Sequence, residues 1–170
     1  SIADDNITDF MEDKAGHFWI GTSQNGISFL SFIKSKFVHM SYDQENEWGM
    51  KSDKIYSITT TSDGMMWVAT GHGLEMLSPD GIREYDYEKS SLGVNYIIDV
   101  EIVNDEYLWV ATDQGVLKIN TMFDKVTRFL DADTLPNNRR LLDNLVHDLK
   151  PIDDKVWVAT ASGLAIIDTT

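Results

Sequence analysis

Histidines, carboxylates and hydroxyls are the side chains from which a catalytic or metal site would be built, and in this chain they are either scattered or repeated. The four histidines are His17, His39, His72 and His147. No two have the four-residue spacing that puts a pair of ligands on one helix face, and the chain has no cysteine to complete a zinc site. No metal and no cofactor is therefore expected. Asp9, Asp99 and Asp148 recur at equivalent places, with Ser57 at the fourth. A ring of such carboxylates could hold a cation, but the preferred expectation is that they hydrogen-bond turns or neighbouring strands. Thr22, Thr70, Thr112 and Thr160 also recur, and none has a base at fixed spacing to activate it as a nucleophile. A glycosidase pair is a single event in a chain, not a repeated one, and 28 acidic residues leave none standing out. No catalytic residue is assigned.

The residues suited to binding lie between the repeats. Trp48 sits among Gln44, Glu45, Asn46 and Glu47. An indole flanked by amides and carboxylates offers a sugar an apolar face for stacking and polar arms for its hydroxyls; the alternative is packing against a sheet edge. His72, Asp113 and Gln114 occupy further loop positions. Arg139 and Arg140 form a basic pair in an acidic chain, suited to a uronate or sulfate, or to ordinary surface ion pairs. An oligosaccharide is the ligand these loops suit, with packing or ordinary surface ion pairs as the other reading of the same residues.

Composition narrows the partners. The formal charge is −14, from 28 acidic and 14 basic residues. Binding to nucleic acid rests on Lys and Arg neutralising phosphates, so nucleic acid is excluded as a partner, and anionic membrane surfaces are disfavoured for the same reason. With 170 residues, 42% of them hydrophobic, the chain can bury a sizeable core, while its apolar runs are too short to span a bilayer.

What positions all these residues is a repeat. Trp19, Trp67, Trp109 and Trp157 are separated by 48, 42 and 48 residues, each inside the same text: HFWIGTSQNGISFL, MMWVATGHGLEML, YLWVATDQGVLKI and KVWVATASGLAII. Each reads Trp, an aliphatic, Gly or Ala, then Thr, and a glycine closes the next turn at Gly26, Gly73, Gly115 and Gly163. A looser signature precedes each copy, starting at Ile7, Ile55, Ile97 and Val146, with turn-formers between the two. A third strand is predicted over 27–30, 74–77, 116–119 and 164–167, and a fourth over 37–40, 82–85 and 126–129. The expected fold is all-β: four β-propeller blades, each an antiparallel meander of about 45 residues. The expected limits are 6–53, 54–95, 96–144 and 145–170, the last blade lacking its outer strand. Alternation along the strand puts each Trp on the same face as Gly21, Ala69, Ala111 or Ala159, where the small residue lets a neighbouring sheet approach.

The stretch NITDFMEDKAGHFWIGTSQNGISFL from Asn6 closely resembles the two-component regulator propeller repeat, and the later copies follow it with Val-Ala-Thr in place of Ile-Gly-Thr. The resemblance implies a periplasmic sensor region of a hybrid two-component histidine kinase, perceiving a carbohydrate and passing the signal on by phosphorelay. It also implies that the chain is a fragment of a larger propeller and itself non-catalytic. An open arc of blades would leave two inter-blade faces uncovered, so self-association into a homodimer is expected, pairing arcs into an eight-bladed ring; a closed four-bladed ring is the alternative. The rival functions are a stand-alone protein-interaction propeller and a propeller lyase or hydrolase.

Overall fold

The computed structural model describes residues 2–31, 36–43, 45, 49–85, 92, 96–122, 125–130 and 140–169. It is all-β, a set of four antiparallel sheets that are β-propeller blades. The chain forms two compact units, Ser1–Asp86 and Tyr87–Thr170. In the first unit, β1 (Ile7–Glu12), β2 (Phe18–Thr22), β3 (Ile27–Ser31) and β4 (Lys36–Met40) form one blade in sequential order. A second blade follows as β5 (Ile55–Thr60), β6 (Met66–Thr70), β7 (Gly73–Ser78) and β8 (Gly81–Tyr85). The second unit holds β9 (Ile97–Val103), β10 (Tyr107–Thr112), β11 (Gly115–Asn120) and β12 (Lys125–Phe129), then a three-stranded sheet of β13 (Val146–Ile152), β14 (Lys155–Thr160) and β15 (Gly163–Asp168).

Local chemistry explains the turns. Asn104 and Asp105 both adopt φ 56°, the left-handed pair that a tight hairpin needs and that Asn and Asp tolerate. Gly26 turns at φ 71°, and a Cβ there would lie 2.1 Å from the Met40 carbonyl oxygen, so only glycine fits.

One feature of the first strands is not visible in their residue types. Every one carries a bulge after its first residue: Ile7 pairs with Thr22 and Asp9 with Gly21, Ile55 with Thr70 and Ser57 with Ala69, Ile97 with Thr112 and Asp99 with Ala111, Val146 with Thr160 and Asp148 with Ala159. The extra residue bends the strand and re-aims the side chain that follows. It sets each Asp (or Ser57) directly opposite the small residue of the Trp strand.

The cores lie between blades. In the first unit Ile55, Ile58 and Val68 of the second blade pack with Met11 and Trp19 of the first. The approach is close at Gly21, where a Cβ would stand 2.8 Å from Ile55 Cγ2. In the second unit Trp109 and Ala111 meet Val146, Leu149 and Val158 in the same way. Each buried aliphatic contributes roughly 1.5–3 kcal/mol of transfer free energy. Three of these Trp residues also pack on an aromatic of their own blade: Trp19 tilted against Phe29, Trp67 tilted against Tyr85, and Trp109 stacked on Phe129.

Candidate functional site

Two of the repeated carboxylates, Asp9 and Asp99, hold blades together. The backbone N–H of Ile58 donates to Asp9 Oδ2 (2.7 Å), and that of Leu149 to Asp99 Oδ2 (2.8 Å). Both bonds cross from the first strand of one blade to the first strand of the next. The bulge makes the reach possible, and the small residue opposite clears the way. The repeated threonines close the β2–β3 type of turn. Their hydroxyls donate to the carbonyls of Gly26 (2.8 Å), Gly73 (3.1 Å), Gly115 (2.7 Å) and Gly163 (2.9 Å). In three repeats the same oxygen accepts a backbone N–H from the turn itself, from Asn25, His72 and Gln114. These hydroxyls are occupied and buried.

His72 lies exposed at the β6–β7 turn, and Asp113 and Gln114 lie exposed at the equivalent β10–β11 turn of the other unit. Arg140 is exposed beside the Leu130–Arg140 bridge. Trp48 and Arg139 fall outside the described residues. His72 thus belongs to the first unit, and Asp113, Gln114 and Arg140 to the second. His17 is held by Asp13, and His39 Nδ1 by the Ser28 hydroxyl at 3.0 Å. No cluster of three or more His, Asp or Glu placed to hold a metal occurs among the described residues.

A cleft does exist at the opposite ends of these strands, between the β1–β2 and β5–β6 turns of the first unit. It encloses about 250 Å³ and is lined by Asp13, Lys14, Trp19, Thr61, Ser62 and Asp63, among others. Asp13 organises one wall: Oδ2 accepts from Trp19 Nε1 (3.0 Å) and His17 Nδ1 (3.1 Å), and Oδ1 from the N–H groups of Ala15 (2.8 Å) and His17 (3.0 Å). Burial works to raise the Asp13 carboxyl, but the bonds from Trp19, His17 and Ala15 outweigh it and hold the group below its ordinary value. Asp13 therefore stays an anion that locks the indole in orientation. On the facing wall the Thr61 hydroxyl is hydrogen-bonded to Asp63, whose Oδ1 also accepts the Met65 N–H (3.4 Å). The floor is aromatic and the rim carries hydroxyls, carboxylates and one lysine.

Sequence reasoning passed over this cleft because its walls lie about one repeat apart. A length signal was present. Five residues separate the strands at 13–17 and again at 61–65, against three at 104–106 and two at 153–154. Only the first two turns are long enough to build walls.

A second unassigned group is Glu75 on β7, 1% exposed. Both its oxygens accept the Lys51 N–H at 3.2 Å, and Glu84 stands directly opposite on β8. Burial pushes the carboxyl up, the Lys51 N–H and the Thr70 side chain pull it down, Glu84 adds to the rise, and the result is about 7 against an ordinary 4.5.

Comparisons with known proteins agree with this architecture. Residues 1–24 and 49–72 match the two component regulator propeller family. No curated protein sequence matches the chain. Among solved structures, the extracellular domain of the hybrid two component system BT3049 from B. thetaiotaomicron aligns with TM-score 0.74 at 19% identity, over 99% of this chain and 28% of that one. That of BT4673 from the same organism gives 0.73 at 20%, over 98% and 25%. Virginiamycin B lyase from Staphylococcus aureus gives 0.60 at 15%, over 95% and 55%. At these identities the likeness is one of fold, and the chain spans about a quarter of the two-component proteins' domains. Two stretches of this chain, residues 1–24 and 49–72, thus match the two component regulator propeller model, within a run of four β-propeller blades.

Proposed function

We propose that this chain is a non-catalytic part of the extracytoplasmic, periplasmic sensor region of a hybrid two-component system, and that it recognises a carbohydrate. The observation that carries the sensor reading is the match of two of its repeats to the two component regulator propeller family. The likeness in fold to extracellular domains of two-component systems supports the location. The ligand class rests on the cleft between the first two blades. Its Trp19 floor suits the apolar face of a sugar ring, and Ser62, Asp63 and Thr61 suit its hydroxyls. A volume of about 250 Å³ accommodates one ring of a longer oligosaccharide. Occupancy biases the packing of two blades, and such a rigid-body bias is how a sensor module without chemistry of its own transmits a signal.

The test is calorimetric titration of a panel of oligosaccharides into the wild-type chain and into Asp63→Ala and Ser62→Ala. Each substitution removes a polar partner worth about 1.4 kcal/mol, so a tenfold weakening is expected for the saccharide that binds. A saccharide that binds all three proteins equally moves the site away from the cleft. A panel with no binder removes the carbohydrate reading.

A further inference from the structure

The cleft in the first unit carries a feature that the repeat itself does not require. Trp19, Trp67 and Trp109 occupy equivalent places, yet their indole N–H groups are treated differently. Those of Trp67 and Trp109 are buried with no hydrogen-bond partner, so a blade of this kind closes around its Trp without one. That of Trp19 donates to Asp13 Oδ2 at 3.0 Å. Asp13 stands six residues before Trp19, and the residue six before Trp67 is Thr61. The Thr61 hydroxyl turns to its own hairpin, bonding Asp63 and the Met65 carbonyl (3.1 Å). The carboxylate on the indole is therefore an addition, made at the member of these three Trp residues that lines the cleft.

That addition changes the electrostatics of the floor. An indole face is already negative, and an N–H bonded to an anion polarises the ring further in the same sense. Asp13 uses its oxygens on Trp19, His17 and Ala15, so it gives the cleft charge and not a hydrogen-bonding arm. Asp63 brings a second carboxylate from the facing wall, where it is exposed. Among the described lining residues the cation is Lys14, also exposed, while His17 stands behind Asp13, bonded to it through Nδ1 at 3.1 Å. Two carboxylates against one ammonium, around an indole face, make a site of negative potential. Resting on the reading of this cleft as a saccharide site, we infer that it selects its sugar by charge. It takes a hexosamine with a free, protonated amine ahead of the neutral N-acetyl sugar, and it rejects uronates and sulfated sugars. The pyranose ring lies on Trp19, and its ammonium group is drawn to the indole face and to Asp63. A carboxylate or sulfate in the same place meets two like charges.

The test uses three β-1,4-linked disaccharides that differ in charge: of glucosamine, of N-acetylglucosamine and of glucuronate. Each is titrated calorimetrically into the wild-type chain, into Asp63→Asn and into Asp80→Asn. Asp63→Asn keeps the Oδ1 that accepts from Thr61 and Met65 and removes the charge. Asp80 is exposed, belongs to the same unit and is outside the cleft lining, so Asp80→Asn removes the same charge elsewhere from a chain of formal charge −14. Folding of both variants is checked by melting curves. The glucosamine form is expected to bind the wild-type chain about fivefold more tightly than the N-acetyl form, with the glucuronate form weakest. Asp63→Asn brings the glucosamine and N-acetyl forms level, whereas Asp80→Asn keeps the preference. Glucuronate binding as tightly as glucosamine overturns the charge selection and leaves the carbohydrate reading standing. So does a preference that survives Asp63→Asn, one that both variants lose equally, or another saccharide that binds the cleft while none of these three does. Absence of binding by every saccharide tried removes the carbohydrate reading itself, and the selection with it.

Discussion

Glu75 makes the stability of this protein depend on pH in a direction opposite to that of most carboxylates. An ion-paired Asp or Glu has its carboxyl held below the ordinary range and stabilises the fold above it. Glu75 is buried within a blade, faces Glu84 across the strands and has its carboxyl raised from 4.5 to about 7. Between those two values the folded chain binds a proton that the unfolded chain releases, so the slope of unfolding free energy with pH is negative. The contribution is fully present below about pH 4.5 and is lost as the pH rises through 7. At about 1.4 kcal/mol per pH unit, the interval amounts to about 3 kcal/mol, a large share of the roughly 5–15 kcal/mol that a small domain has. The perturbation is Glu75→Gln, which keeps the shape and the acceptor for the Lys51 N–H but has no proton to lose. Urea unfolding of both proteins is followed at a series of pH values from 4.5 to 8.5. The other titrating groups cancel in the difference. The two proteins are expected to be close in stability near pH 4.5, with Glu75→Gln the more stable by about 3 kcal/mol at pH 8. A difference that does not change with pH refutes the reasoning, and so does one that grows toward low pH.

Two further outcomes follow from the inter-blade contacts. Asp99→Ala strands the buried Leu149 N–H and should cost about 1–3 kcal/mol in urea melts, whereas Asp148→Ala, exposed at the equivalent position, should stay within about 0.5 kcal/mol in dilute protein. Gly21→Ala brings the first repeat into line with Ala69, Ala111 and Ala159, yet it should destabilise by about 1 kcal/mol or more in thermal melts. The new methyl lies 2.8 Å from Ile55 Cγ2 and 3.3 Å from its Cβ, both on the stiff, branched part of that side chain.

The strands were legible because the Trp-aliphatic-small-Thr text recurs with a turn glycine after it. Those residue types answer directly to burial, alternation and left-handed backbone. β3, β7, β11 and β15 follow the predicted spans to within a residue or so, three of them starting one residue early at the glycine. The bulge after Ile7, Ile55, Ile97 and Val146 was not legible, since a strand with one extra residue has the same composition as one without. Its consequence, Asp9 reaching Ile58, joins residues one repeat apart that no local pattern links. The cleft was hidden for the same reason: Trp19 reads as a core residue, and only the turn from the next repeat makes a wall opposite it. Glu75 lies in a strand whose equivalents are Ser28, Leu117 and Ala165, so its burial is a property of the sheet around it.

The clasp between each repeated threonine and the glycine that follows has a meaning for how such chains diversify. Because the hydroxyl seals the hairpin from within, residues at the tip carry no duty in keeping it shut. Ser23-Gln24-Asn25, Gly71-His72, Asp113-Gln114 and Ala161-Ser162 share almost nothing in chemistry, and the first is a residue longer, yet all four hairpins close with the same bond. A lineage can therefore rewrite these tips, in type and even in number, without unfolding the blade beneath them. Tip chemistry and foldability are inherited separately here, so a change at a tip need not wait for a compensating change in the core.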